Sequence, residues 1–334
     1  MLMKANTNKG NKIRERYVDI AKGISILCIT LLHYEDGLLN NHWNIFIGLF
    51  MIPMFYITTG WIGAISNKNI SFKELARKRC KQIGLPYIYW SLIILLFDLI
   101  LFIIQYYDAY FIYREVYKTI TLRGIGTLWF LPALFFGELI WNWLKVKKWF
   151  YIIVALFCTL IYQYFYAEFF SGKDGEIYKI LDAPFRTISS ALNAWIYICI
   201  GYYVCQAFKI SQLTKLSLGC IGVILTIGGF YFIPYVKIPY VISIIECIGL
   251  LLIFYSCQYW KIWNYLNYWG RNSLSLMVTH YSITLVICHI VIENLFNSIF
   301  VGWITIAAFC ISMLIQYLIT TILNKKYPFL LGKI

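Results

Sequence analysis

Residues 17–36 read YVDIAKGISILCITLLHYED, and this stretch decides the class of fold. From Ile24 to Leu32 only Ser25, Cys28 and Thr30 interrupt the aliphatic side chains. Twenty helical residues rise about 30 Å, the thickness of a bilayer's hydrocarbon core. Arg14 and Arg16 stand just ahead of the run, where positive charge marks the cytoplasmic mouth of a span. The chain then continues Tyr34-Glu35-Asp36 with no small-residue cleavage site, so the run reads as a retained first span and not as a signal peptide.

The pattern recurs along all 334 residues. Hydrophobic side chains make up 61% of the sequence and charged ones only 13%, too few to cover a water-soluble domain. Runs of span length fall at 18–39, 43–65, 83–105, 125–144, 149–168, 188–208, 216–236, 239–258, 273–293 and 300–323. With the N-terminus inside, the cytoplasmic pieces between them hold 21 Lys and Arg, and the opposite side holds 7. That bias orients the chain. The expectation is an all-α polytopic membrane protein of about ten transmembrane helices, with N- and C-termini cytoplasmic. It forms a single membrane-embedded domain over 1–334, with a basic N-terminus at 1–17 and a tail at 324–334. The net charge of +14 then reflects loop placement and not nucleic-acid binding. The segment 106–124, rich in Tyr and carrying Arg114, Lys118 and Arg123, is the least regular and reads as partly re-entrant. Ten cysteines, nine of them within apolar runs, show no CxxC pair and no zinc-like spacing with histidine, and read as small packing residues.

Ionisable groups at membrane depth are costly and mark cavities or partners. They are Asp19, Lys22, His33, Glu35 and Asp36 on the first span, then Asp98, Glu138, Glu246, His280 and His289. Lys22 and His33 are eleven residues apart, which places them on one helix face with about 16 Å between them. One face therefore carries a cation at the inner surface and an imidazole about 24 Å into the core. A phosphate-bearing donor held inside, with a long arm reaching the histidine, suits that arrangement. Alternatively, Lys22 snorkels to the interface or pairs with Asp19 at i,i−3. The run Arg77-Lys78-Arg79-Cys80-Lys81 is either a positive-inside anchor or a phosphate clamp.

These residues resemble the acyltransferase-3 family of integral-membrane O-acyltransferases. Lys22 and His33 fit its R/K-x10-H motif. The stretch Phe50-Met51-Ile52-Pro53-Met54-Phe55-Tyr56-Ile57-Thr58-Thr59-Gly60-Trp61 is similar to the second-span signature of the fucose 4-O-acetylase-like branch. Leu85-Pro86-Tyr87-Ile88-Tyr89-Trp90-Ser91, the block Thr127 to Leu134, and Gly270-Arg271-Asn272-Ser273-Leu274 ending at His280 match later blocks in family order. Two positions depart from the pattern. Met51 stands where that branch has a histidine, and Gln82 replaces the second arginine of the RxxR motif that Arg79 opens.

The resemblance implies acyl transfer from cytoplasmic acyl-CoA, acetyl-CoA by default, to a sugar hydroxyl of a polysaccharide or lipid-linked acceptor in a bacterial plasma membrane. No metal is required. His33 is then the general base, and Asp36 orients it or binds the sugar. Lys22 and Arg79 take the CoA phosphates, with Arg77 or Lys81 standing in for the missing arginine. Glu35, Trp129 and His280 fall on the substrate side. A straight ninth span puts His280 about 10 Å deep, which argues against a direct pair with His33. It also sets His289 half a turn away, as a packing residue. The domain is expected to act without a further extracytoplasmic domain, alone or as a homodimer. The same topology would suit a transporter or flippase for a lipid-linked sugar, against which stands the lack of a repeat between halves.

Overall fold

The computed structural model describes residues 14–34, 39–66, 70–173, 175–235, 239–296 and 303–333. Among these residues there are helices and no strands, as a chain that must satisfy its backbone inside lipid requires. Among the described residues nine helices, counted through their breaks, are long and apolar enough to cross a membrane: Arg16–Tyr34, Asn41–Ser66, Phe72–Ile103, Trp149–Phe170, Glu176–Ile210, Lys215–Tyr235, Pro239–Cys257, Ser273–Ile292 and Ile304–Lys326. The remaining expected span, 125–144, is divided into a 3-10 turn, Gly126–Trp129, and a shorter helix, Phe130–Leu144.

The first span is α1 (Arg16–Tyr34). The second is two helices, α2 (Asn41–Met51) and α3 (Pro53–Ser66), because Pro53 has no N–H to continue the ladder. Asn40 caps α2 by accepting from the Trp43 N–H. The third begins as α4 (Phe72–Arg79), widens into a π-helical turn at Cys80–Gly84 and continues as α5 (Leu85–Ile103). Then come α6 (Ala109–Ile120), α7 (Phe130–Leu144), α8 (Trp149–Phe170), α9 (Glu176–Ile210), α10 (Lys215–Phe232) and α11 (Pro239–Cys257). After them the chain forms α12 (Asn264–Arg271), α13 (Ser273–Thr279), a second π-helical turn (His280–Leu285), α14 (Val286–Phe296) and α15 (Trp303–Lys326).

At the centre lies α1, touching α2, α3, α11, α12, α13, α15 and the second π turn. Tyr17, Ile20, Ala21 and Ile26 are buried there, and the Tyr17 hydroxyl accepts from the Trp61 indole N–H at 2.7 Å. By contrast α8 buries only Ile152 and Thr159, so most of its surface is left for lipid. Arg14 and Lys333 line one cavity together with Arg271, so both ends of the described chain lie at the same end of the bundle.

Glycine sets how close the central helices come. A Cβ on Gly23 would fall on the Leu266 carbonyl, and one on Gly270 on the Asp19 carbonyl. Helix α12 lies in a stretch expected to be a cytoplasmic loop, 259–272. It folds as a helix against α1 because these two glycines let the backbones touch, the small-residue packing that membrane helices favour. Replacing Gly270 by Leu should therefore cost about 1–3 kcal/mol or more through overpacking. A thermal-unfolding midpoint in detergent should fall several degrees, while Gly48→Leu, where a Cβ meets nothing, should leave it near wild type.

Candidate active site

His33 sits in the last turn of α1 and opens into a cavity of about 550 Å³. The Tyr281 ring meets it edge-on at 4.6 Å between centroids. His280 lies 5.4 Å away, ring to ring, and is fully buried. The expected separation of the two histidines is thus overturned. It rested on one straight helix from Ser273. The chain instead breaks at Asn272 and widens at His280–Leu285, and α12, α13 and the π turn all pack along α1. His289 is also not simply a packing residue. A π turn takes more residues per revolution than an α-helix, and His289 lines the same cavity as His33.

Much of the remaining wall comes from 106–124, the segment read as partly re-entrant. Within it α6 is capped by Asp108, whose carboxylate accepts from the Phe111 N–H at 2.7 Å. Gln105 before the helix and Leu122 after it both take positive φ, and Gly124 and Gly126 follow in the same region. Glu115, 3% exposed, accepts from Arg114 Nε at 2.9 Å and from Lys118 Nζ at 2.7 Å. Asp98, on α5, lines the cavity as well, and one of its carboxylate oxygens is buried without a hydrogen bond among the described residues. Burial, then the Asp98 carboxylate, pushes the Tyr107 phenol up, so it stays a hydrogen-bond donor beside that acid. Trp129 is half-buried on the same wall. Its turn is tied to α13 by Thr127, whose hydroxyl donates to the Met277 carbonyl at 2.6 Å.

A second cavity, of about 480 Å³, lies between α3, α4, α7 and α9. Leu75, Lys78, Arg79 and Gln82 face it at the i, i+3, i+4, i+7 spacing of one helix face. Arg77 and Lys81 fall on the other side and are exposed. Lys145, at the end of α7, lines the cavity too. Arg79 forms an ion pair with Glu138, its Nη2 donating to Oε1 at 2.8 Å, while its Nη1 donates to Gln82 Oε1 at 2.9 Å. Gln82, where the resembling motif has a second arginine, here holds the first one in place. Lys22 is half-buried and feels the charges of Asp19, Arg79 and Glu138. The alternative pairing with Asp19 does not hold it, since Asp19 binds Arg14 at 2.6 Å. Among the described residues no hydrogen bond or ion pair engages the Lys22 ammonium.

The structure thus brings His33, His280 and Trp129 to one end of α1, and gathers Lys22, Arg79, Glu138, Lys78 and Lys145 near its other end. Glu35 and Asp36 lie outside the described residues. Lys78 was legible in the helical spacing of its run. Asp98 and Glu138 were visible as intramembrane acids without partners, and Lys145 as a loop lysine, but the pairings depend on the fold.

A family model described as an acyltransferase domain matches residues 15–322 of the chain. No curated protein and no solved structure matches it.

The Arg79–Glu138 pair is open to a stability test. Glu138 is 6% exposed, and removing its partner leaves a buried charge uncompensated, at a cost of about 3–5 kcal/mol. Arg79→Met should lower the thermal midpoint markedly, and Arg79→Met with Glu138→Leu should recover much of the loss. A double variant no more stable than Arg79→Met would show that the two groups are not coupled.

Proposed function

The chain belongs to the acyltransferase-3 family, and from that premise we propose a membrane-bound O-acyltransferase that moves an acetyl group from cytoplasmic acetyl-CoA to a sugar hydroxyl. The acceptor is a cell-surface or exported polysaccharide, or its lipid-linked precursor, handled in a bacterial plasma membrane as in the fucose 4-O-acetylase-like branch. The observation that carries this reading is the division of labour along α1. A histidine opens into a polar cavity at one end, and a cation-lined cavity sits beside the other, with about 16 Å of helix between Lys22 and His33.

The cations of the second cavity suit the donor's phosphates. Arg79 reaches it with its guanidinium already aligned by Glu138 and Gln82, and Lys78, Lys145 and Lys22 add positive charge around it. The cavity at His33 lies within the usual size range of small-molecule sites. It offers what a saccharide needs: carboxylates to accept from hydroxyls, a phenol to donate, and aromatic faces at Trp129, Phe111 and Tyr281.

In the reaction, His33 takes the proton from the acceptor hydroxyl as that oxygen attacks the thioester carbonyl carbon. The new C–O bond forms, the C–S bond breaks, and the departing thiolate receives the proton from His33. The products are an O-acetyl ester and free CoA. Thr127 and the Arg114–Glu115–Lys118 cluster lie on the same wall, where donors would steady the oxyanion or the sugar.

Calorimetric titration of the detergent-purified protein with acetyl-CoA, together with a transfer assay, tests this reading. Wild type should bind the donor, Arg79→Ala should bind it more weakly, and His33→Ala should bind it normally. His33→Ala should nevertheless lose about 10²–10⁴-fold in turnover. A folded wild type that binds neither acetyl-CoA nor a longer acyl-CoA would overturn the proposal.

A further inference from the structure

We infer that His280 is the positioning residue for His33, holding one ring nitrogen so that the other faces the cavity as a lone pair. This rests on the reading of His33 as the base, but its evidence is geometric. His280 Nδ1 lies 2.8 Å from the Leu276 carbonyl oxygen. A carbonyl only accepts, so Nδ1 carries the proton, and the neutral ring keeps its lone pair on Nε2. That Nε2 is buried and has no hydrogen-bond partner as the rings stand. An acceptor buried without a donor is destabilising, which makes a missing donor the question to answer.

The imidazole of His33 answers it. Two imidazoles joined end-on by an N–H···N bond of about 2.9 Å have centroids roughly 5 Å apart. The rings of His33 and His280 stand at 5.4 Å and 35°, a separation within a few tenths of an ångström of that end-on arrangement. Tyr281 packs its edge on His33 and limits how the ring can turn. His280 itself is fixed from behind. Thr279 donates to Gln316 Oε1 at 2.6 Å, and the same amide donates to Thr284 Oγ1, spanning the start of the π turn. Ser275 and Thr320 add a second tie to α15 at 2.9 Å.

With one N–H committed to His280, His33 presents its remaining nitrogen to the acceptor hydroxyl. When it takes that proton, the bond to His280 becomes charge-assisted and stronger. His280 exchanges no proton with the substrate and stays Nδ1-protonated throughout. The ninth span's broken geometry thus acquires a purpose, since a straight helix would not bring this ring to His33.

Two substitutions separate the role from simple packing. His280→Phe keeps an aromatic ring and removes the acceptor, while His280→Gln keeps an acceptor oxygen and loses the ring. Acetyl-CoA turnover should fall at least about tenfold in His280→Phe, in kcat, with KM for acetyl-CoA unchanged within about twofold. His280→Gln should recover most of the loss. A purely structural ring would rank the two variants in the opposite order. The chain has four histidines, so ring ¹⁵N resonances in the detergent-solubilised protein can each be assigned by substitution. His33 should show one dominant tautomer with a hydrogen-bonded N–H in wild type and in His280→Gln, and a mixture in His280→Phe. A His33 spectrum indifferent to His280→Phe would overturn the inference, as would a folded His280→Phe as active as wild type. Should wild type turn over no acyl-CoA, the functional reading fails, and the ¹⁵N spectra still decide the histidine pair.

Discussion

Gly270 rests on the Asp19 carbonyl and Gly23 on that of Leu266, and the place of His280 beside His33 follows from this contact of two backbones. No apolar driving force favours helix association in lipid, so close approach has to come from small residues and hydrogen bonds. Here it draws a polar, aromatic segment against the first span and starts the ninth span from a helix already in contact with α1. The chain then breaks at Asn272, runs on as α13, and delivers His280 beside His33. A bulkier residue at either glycine would displace the histidine pair without touching it.

The two ends of α1 differ in how they treat charge. Near Lys22, the guanidinium of Arg79 is held by a buried carboxylate and an amide, so its direction is set before any anion arrives. Preorganised donors of this kind lose less on binding than free side chains do. Beside His33, Glu115 is held through one carboxylate oxygen by Arg114 and Lys118, and Asp98 keeps an oxygen without a partner among the described residues. One end therefore has directed cations around a recess, and the other an unsatisfied acceptor. This asymmetry matches a reaction with a phosphate-bearing donor and a hydroxyl-bearing acceptor.

Hydropathy and loop charge made the helical class and most span positions legible, because a run of twenty apolar residues has few other uses. Helix geometry also placed Lys22 and His33 at opposite ends of one span. What escaped was the widening of two spans into π turns and the helix hidden in a loop. The π turns at Cys80–Gly84 and His280–Leu285 leave no mark in composition, yet the second changes which later residues share a face and so brings His289 to the cavity at His33. Segment 264–271 looks like a loop by its polarity and folds as a helix because its glycine finds a partner glycine far away in sequence. Glu138 and Asp98 announced themselves as costly, but a sequence does not say that one grips Arg79 and the other faces a cavity.

Helix α6 has a consequence for how such an enzyme diversifies. It is bounded by backbone reversals at Gln105 and at Leu122 to Gly126, and carries its own cap in Asp108. Its outward ties are few, among them Tyr87 to the Thr119 carbonyl and Tyr117 to that of Ile180. It supplies much of the wall around the cavity at His33 and, among the described residues, nothing to the α1–α12 contact or to the Arg79 recess. The segment is a cassette: exchange of residues between these two reversals would reshape the cavity at His33 while leaving the α1–α12 contact and the Arg79 recess in place.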